Sequence, residues 1–177
     1  VTKSSAIFDY DKLNWLNQHY IKNKDLSDIA DMVLPYLADL NIKVDDRKYL
    51  ENILSLGIDR DYNLKNIASG LTYYFEDDLN YKSDDLVKLD PIKSKAVIEN
   101  VIKKISSIDF DNKENISNCI KEVCSDMSLK FKDVGPAVRF SLTARLKAPS
   151  IDELCLTLGK DKALKRLNDF YIFLSLA

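Results

Sequence analysis

Histidine is almost missing from this 177-residue chain: His19 stands alone. One imidazole cannot build a metal cluster, and at a helical position His19 is expected to be an exposed helix residue. Cysteine is nearly as sparse. Cys119, Cys124 and Cys155 are odd in number and match no zinc spacing. They read as small buried hydrophobes in a reducing cytoplasm. Four glycines (Gly57, Gly70, Gly135, Gly159) stand isolated, and none heads a Gly-Lys-Ser/Thr phosphate loop. No serine sits in a nucleophile elbow. An active site lying wholly within these residues is therefore not expected, and neither is a bound metal. No apolar run nears the roughly 20 residues of a membrane-spanning helix, so the chain is expected to be soluble. Val1-Thr2-Lys3-Ser4-Ser5 is neither a signal nor a transit peptide. With Val1 in place of an initiator methionine, the chain is expected to be a fragment of something longer.

What is present describes a folded protein. The chain is 46% hydrophobic and 31% charged with a formal charge of −2, which excludes intrinsic disorder. Its length suits one ordinary domain or two small ones. The charge is unevenly spread: residues 1–90 hold 11 Lys+Arg against 17 Asp+Glu, and residues 91–177 hold 15 against 11. Between 130 and 147, five bases (Lys130, Lys132, Arg139, Arg145, Lys147) face one acid, Asp133. Such a stretch suits an anionic partner, or is simply a solvated helix face. The pairs Asp45-Asp46, Asp77-Asp78 and Asp84-Asp85 read as caps and loop charges, because acid–base chemistry needs two carboxylates in different environments facing one pocket. Trp15, Tyr73, Tyr74, Phe75, Tyr171 and Phe173 recur at helical spacing and are read as core rather than as a stacking platform.

Periodicity is helical almost throughout. A first helix over 8–21 carries Phe8, Leu13, Trp15, Leu16 and Tyr20 on one stripe. Ser27 is expected to cap a second over 28–40, which Pro35 should kink or end. Asp45 or Asp46 opens a third that closes near Gly57. The stretch 59–76 reads as a fourth, with Leu64, Ile67, Ala68, Leu71, Tyr74 and Phe75 inside. Residues 76–90 turn acidic and polar, and read as a linker or as the seam between two subdomains. Asp90-Pro91 restarts a helix with its cap and first-turn proline, carrying Ile92, Ala96, Val97, Val101, Ile102 and Ile105. Another runs over 113–129. Gly135-Pro136 is expected to break the chain before a helix holding Val138, Phe140 and Leu142. Pro149-Ser150 breaks it again, and Ser150 with Glu153 forms a capping-box pattern. Leu158-Gly159 ends that helix, and 161–176 forms the last. No segment alternates long enough for a strand. The expected fold is all-α, with helical subdomains over 1–85 and 86–177.

Three segments resemble the C-terminal, anticodon-binding half of bacterial glutamyl-tRNA synthetases. The first, Phe8-Asp9-Tyr10-Asp11-Lys12-Leu13-Asn14-Trp15-Leu16-Asn17, is similar to that family's Phe-Asp-x-x-Lys-Leu-x-Trp-Leu-Asn stretch. The second runs through Arg139-Phe140-Ser141-Leu142-Thr143, Ala148-Pro149 and Leu158-Gly159-Lys160 to Leu164-Lys165-Arg166-Leu167. It resembles an Arg-x-x-Leu-Thr-Gly … Pro-Gly … Leu-Leu-Gly-Lys … Arg-Leu tail. The third, Leu56 to Phe75, matches a Leu-x-x-x-Arg-x-x-x-Leu helix ending in aromatics, with Arg60 at the arginine. Two family glycines are replaced, by Ala144 and Ser150. Ala144 is expected to hold a negative φ and so to shift the path of the 143–150 loop slightly. The catalytic signatures of the family, of the His-Ile-Gly-His and Lys-Met-Ser-Lys-Ser types, are absent.

The resemblance implies a helix-cage fragment that recognises the glutamate tRNA as a monomer in the cytoplasm. Its parent would activate glutamate with ATP and Mg and pass it to the tRNA 3′ end. The fragment itself would hold no cofactor and no catalytic residue. The first subdomain would sit near the tRNA stem, and the second would cradle the anticodon loop. By family position, Arg60 would read the third anticodon base. A guanidinium is all donor, matching the O2 and N3 acceptors of cytosine and opposing the N1–H and N2–H of guanine. Arg139, Ala148 and Ile151 match positions that contact the other anticodon bases. Arg145 and Lys147, the cations nearest that loop, suit phosphates. Alternatives stand beside these roles. Arg60 could be ion-paired with Asp59 or Asp61, Arg139 could brace the loop, and Ile151 is as readily core as contact. The rival reading of the whole chain is an all-helical protein-interaction module whose basic face docks on an acidic partner.

Overall fold

A computed structural model describes residues 10–58 and 61–176. They are helical with no strand among them, and they fall into two compact units, one ending at Phe75 and the other starting at Glu76. Among the described residues no helix is long and apolar enough to cross a membrane.

The first unit holds α1 (Tyr10–Lys22), α2 (Leu26–Asp39), α3 (Arg47–Gly57) and α4 (Leu64–Phe75). Its core is built where α2, α3 and α4 meet: Ile29, Val33 and Leu37 from α2, Leu50, Ile53 and Leu54 from α3, and Ile67, Leu71 and Tyr74 from α4. Asp46 caps α3, accepting the Tyr49 N–H at 2.9 Å. Arg47 then ties α3 to α2 through the Ser27 carbonyl at 2.8 Å and the Asp31 carboxylate.

Three expectations fail in this unit. The cap of α2 is Asp25, not Ser27, whose hydroxyl instead meets Arg47 at 3.0 Å. Of the two outcomes expected at Pro35, a kink or an end, the end does not occur: α2 runs on to Asp39. The ring lies on the exposed side of the helix, where water can hydrate the carbonyl left without its donor. The apolar stripe of α1 is not core: Trp15 is 61% exposed, and Leu13, Leu16 and Tyr20 are exposed with it. Among the residues of this helix whose side chains are described, only Ile21 is buried. Phe8, the other residue expected on that stripe, lies outside the described residues.

The second unit holds α5 (Pro91–Ile105), α6 (Lys113–Asp126), α7 (Phe131–Thr143), α8 (Ile151–Leu158) and α9 (Lys160–Leu176). Asp90 caps α5 through the Lys93 N–H at 3.0 Å, with Pro91 at the first position, as its sequence signals. Val97, Ile98, Val101 and Ile105 face inward, whereas Ile92 is 85% exposed and Ala96 is also outside. Phe140, Leu142, Leu154, Leu167 and Phe170 complete the core from α7, α8 and α9.

Residues 76–90, expected as a linker or as the seam between two subdomains, follow the break and are strapped to this unit. Tyr81 is buried against Phe140, Phe170 and Phe173. Its hydroxyl donates toward the Ser141 carbonyl at 2.9 Å, with the Arg166 carbonyl at 3.0 Å. Burial pushes this phenol far above its ordinary pKa, so it stays protonated as a donor. Arg166, wholly buried in α9, donates from Nη1 to the Leu142 carbonyl at 2.6 Å and from Nη2 to the Glu76 carbonyl at 2.8 Å. One guanidinium thus closes the C-terminal end of α7 and the start of the strap together. The break between the units therefore falls ten residues before the 85/86 boundary expected from the sequence.

Gly135-Pro136 does not break the chain either. Helix α7 starts at Phe131 and passes through both residues. A proline crowds the Cβ of the residue before it when that residue is helical, and Gly135 has no Cβ to crowd.

Candidate nucleic-acid interface

The basic stretch becomes a surface built from α7, the loop after it and the start of α8. Lys130 is the N-cap of α7, and its N–H donates to Asp133 Oδ2 at 3.2 Å. Asp133 is the single acid of the stretch, and its other oxygen takes Lys93 Nζ at 2.7 Å. That ammonium holds the Asp133 carboxyl below its usual range. The one negative charge is therefore neutralised locally, while Lys130, Lys132 and Lys147 stay exposed.

The loop 144–150 is pinned at several points. Ala144 ends α7 with φ +54° and ψ +24°, so it keeps the left-handed conformation natural to glycine rather than the negative φ expected of an alanine. The Ala144 N–H still reaches the Phe140 carbonyl at 2.7 Å, which shows why the path persists: the turn closes the helix with a hydrogen bond. Thr143 Oγ1 donates to the Arg139 carbonyl at 2.9 Å and accepts the Arg145 N–H at 3.1 Å. The Leu146 N–H donates to Asp85 Oδ2 at 3.1 Å, and Asp85 Oδ1 meets Lys88 Nζ at 2.6 Å. Lys88 first, then this loop amide, hold the Asp85 carboxyl below its ordinary range. Ser150 opens α8 as its sequence signals, with its N–H directed at Glu153 Oε2, 3.4 Å away. Lys113 reaches the same carboxylate group at 2.9 Å and lowers its pKa.

Five of the six residues singled out from the sequence can be placed. Arg139 is half-buried on α7 and donates from Nε to the Pro149 carbonyl at 3.2 Å, spanning the loop from one side to the other. Arg145 is half-buried and Lys147 exposed, both on the loop itself. Ala148 and Ile151 are 8% and 3% exposed, so their side chains offer almost no surface, and what they present is backbone. Arg60 lies outside the described residues. The residues soon after it (Tyr62, Asn63, Lys65) line a cavity of about 540 Å³ with Tyr20 and Tyr36.

Sequence reasoning missed the supports of this surface: Tyr81, Asp85 and Arg166. Arg166 was visible as part of a motif, but no periodicity tells a buried arginine from an exposed one. His19 is exposed, its ring stacked on Trp15 at 5.5 Å. Cys119 and Cys155 are buried, their thiols pushed up to about 11 and about 12 by burial, while Cys124 is half-buried. Among the described residues no group of three or more His, Cys, Asp or Glu side chains is placed to hold a metal ion.

A family model described as an anticodon binding domain matches residues 28–171. The chain is 30% identical over 169 residues to the glutamate–tRNA ligase of Buchnera aphidicola, covering 96% of this chain and 36% of that protein. It is 32% identical over 167 residues to that of Methylobacillus flagellatus, covering 94% and 35%. Among solved structures, a glutamate tRNA ligase from Elizabethkingia meningosepticum in complex with its amino acid gives a TM-score of 0.81 at 25% identity. That similarity covers 98% of this chain and 34% of that one. A glutamate-tRNA synthetase from Elizabethkingia anophelis gives 0.74 at 25% identity, over 97% and 33%. The chain thus spans about a third of the length of the relatives it matches.

Proposed function

This chain belongs to the anticodon-binding domain family, and on that premise we propose that it is the tRNA-recognition part of a glutamate–tRNA ligase. The parent enzyme would activate glutamate with ATP, with Mg as the metal, and transfer it to the tRNA in the cytoplasm. This part acts as a monomer that grips the tRNA while the chemistry proceeds elsewhere. The observation that carries the reading is the chain-long similarity to glutamate–tRNA ligases. The physical support is a firmly tied loop, 144–150, carrying two cations, with the acid that touches it, Asp85, paired to Lys88.

In this reading the first unit lies near the stem and the second cradles the anticodon loop. Arg145 and Lys147 hold phosphates, since a cation on an ordered loop positions RNA without reading its sequence. Arg139, Ala148 and Ile151 meet anticodon bases, the last two through backbone and local shape. Unpaired loops are where proteins read RNA sequence, because their splayed bases expose Watson–Crick edges. Arg60 reads the third anticodon base and favours C over G, which a donor-only side chain can separate by roughly 1–3 kcal/mol.

The test is a fluorescence titration of the 177-residue chain against two anticodon stem-loops, one ending in C and one in G, at several salt concentrations. A preference for C that disappears in Arg60→Gln is expected. Lys147→Ala should flatten the log–log salt dependence by about 0.7, the share of one phosphate contact on a single strand. Equal binding of both loops would overturn the role given to Arg60 and keep RNA binding. Failure to bind either loop at low salt would overturn the RNA reading.

A further inference from the structure

The first residue of α7 carries an aromatic ring that the core does not use. Phe131 is 54% exposed, and the inward-facing positions of the helix begin only at Val134. Its position is set by Gly135, one helical turn on: a Cβ there would lie 2.9 Å from Phe131 Cε1 and 3.1 Å from Cζ. The ring therefore rests on the bare backbone of Gly135, in the space a side chain would fill. A glycine inside a helix costs about 1 kcal/mol relative to alanine. Here it provides a seat for a ring that stays more than half exposed.

The surroundings of the ring are cationic. Lys130 and Lys132 flank it and are exposed, and the nearby Asp133 carboxylate is engaged by Lys93 at 2.7 Å. Phe131, Gly135 and Arg139 also fall on one i, i+4, i+8 row of α7. Eight residues of helix place the ring about 12 Å along the axis from Arg139. A seated, exposed aromatic ring with an exposed lysine at the position before it and the position after it has the make-up of a base-stacking site. Every nucleobase offers a π-face, and the cations take the phosphates on either side.

We infer that Phe131, seated on Gly135 and flanked by Lys130 and Lys132, is a stacking platform for an unpaired RNA base next to the loop held by Arg139. The inference rests on the RNA reading of the preceding section and extends it to a residue that the sequence motifs did not single out.

The experiment uses the 177-residue chain and anticodon stem-loops of the glutamate tRNA carrying 2-aminopurine at one unpaired position at a time. This probe loses fluorescence when it stacks. Quenching at one position is expected with the unaltered chain. Phe131→Leu should abolish that quenching and weaken binding at least about fivefold, the lower end of what one stacked base contributes. Phe131→Trp should restore both. Stem-loops that bind the unaltered chain and Phe131→Leu equally, with the same quenching, would overturn the platform and leave the RNA reading intact. Stem-loops that do not bind the unaltered chain at all would overturn the RNA reading itself. A polyglutamate peptide that binds through Phe131 where no stem-loop does would overturn the inference in favour of a protein partner.

Discussion

Replacing Ala144 by glycine should make the second unit more stable. Ala144 holds φ +54° and ψ +24° at the end of α7. A Cβ in that conformation crowds the neighbouring carbonyl and costs about 1–2 kcal/mol. Glycine removes this cost but gives back about 0.5–1 kcal/mol through the greater freedom of the unfolded chain. The difference favours Ala144→Gly by about 0.5–1 kcal/mol, because the bonds of the turn use backbone atoms that the substitution leaves in place. Ala144→Val is the opposite perturbation, since a β-branched residue is a severe outlier at positive φ. The two units need not unfold together, so the measurement should report on the second alone. Amide hydrogen exchange of the slowest protons in α7 and α9 gives its free energy of opening directly. In a thermal scan, a unit of this size should shift upward by roughly 2–6 °C. No change, or a loss, in Ala144→Gly would refute the strain argument. It would mean that the loop relaxes around whichever residue stands there.

Two further predictions concern the struts of the same unit. Arg166→Met leaves the Leu142 and Glu76 carbonyls without their donor and should cost about 2–4 kcal/mol by urea denaturation. Arg166→Lys should recover little of this, since an ammonium cannot fork to two segments. Asp85 has a lowered folded-state pKa, so its stabilising effect is present above the unfolded carboxylate pKa of about 4 and is lost as pH falls through the lower folded value. Asp85→Asn, which keeps an acceptor for the Leu146 N–H, should therefore flatten the acid limb of the stability–pH curve. An unchanged limb would show that other carboxylates dominate it.

The local features of the fold were legible because they are encoded locally. Asp90-Pro91, Asp46 and Ser150 mark helix starts through hydrogen bonds that reach three residues, and the all-α class follows from the 3.6-residue period. The basic surface was legible too, since a count of charges along 130–147 needs no coordinates. Other features depend on what an element meets, and a one-dimensional pattern does not carry that. The stripe of α1 has the period of a core helix, yet Trp15 is exposed. Gly135-Pro136 looks like a break, but the missing Cβ that makes glycine a poor helix former is what lets the helix pass under a proline and a phenylalanine ring.

The candidate site divides along the same line. Its proposed place in the chain, around Arg139, Arg145 and Lys147, was read from sequence alone: motif order and charge point to it without reference to packing. Tertiary structure decided which of its residues present a side chain. It buried Ala148 and Ile151 and enlisted Tyr81 and Asp85 as supports from 60 and 61 residues away in the sequence, and Arg166 from 24. Burial and long-range hydrogen bonds belong to pairs of segments, and the pairing exists only once both have folded against each other.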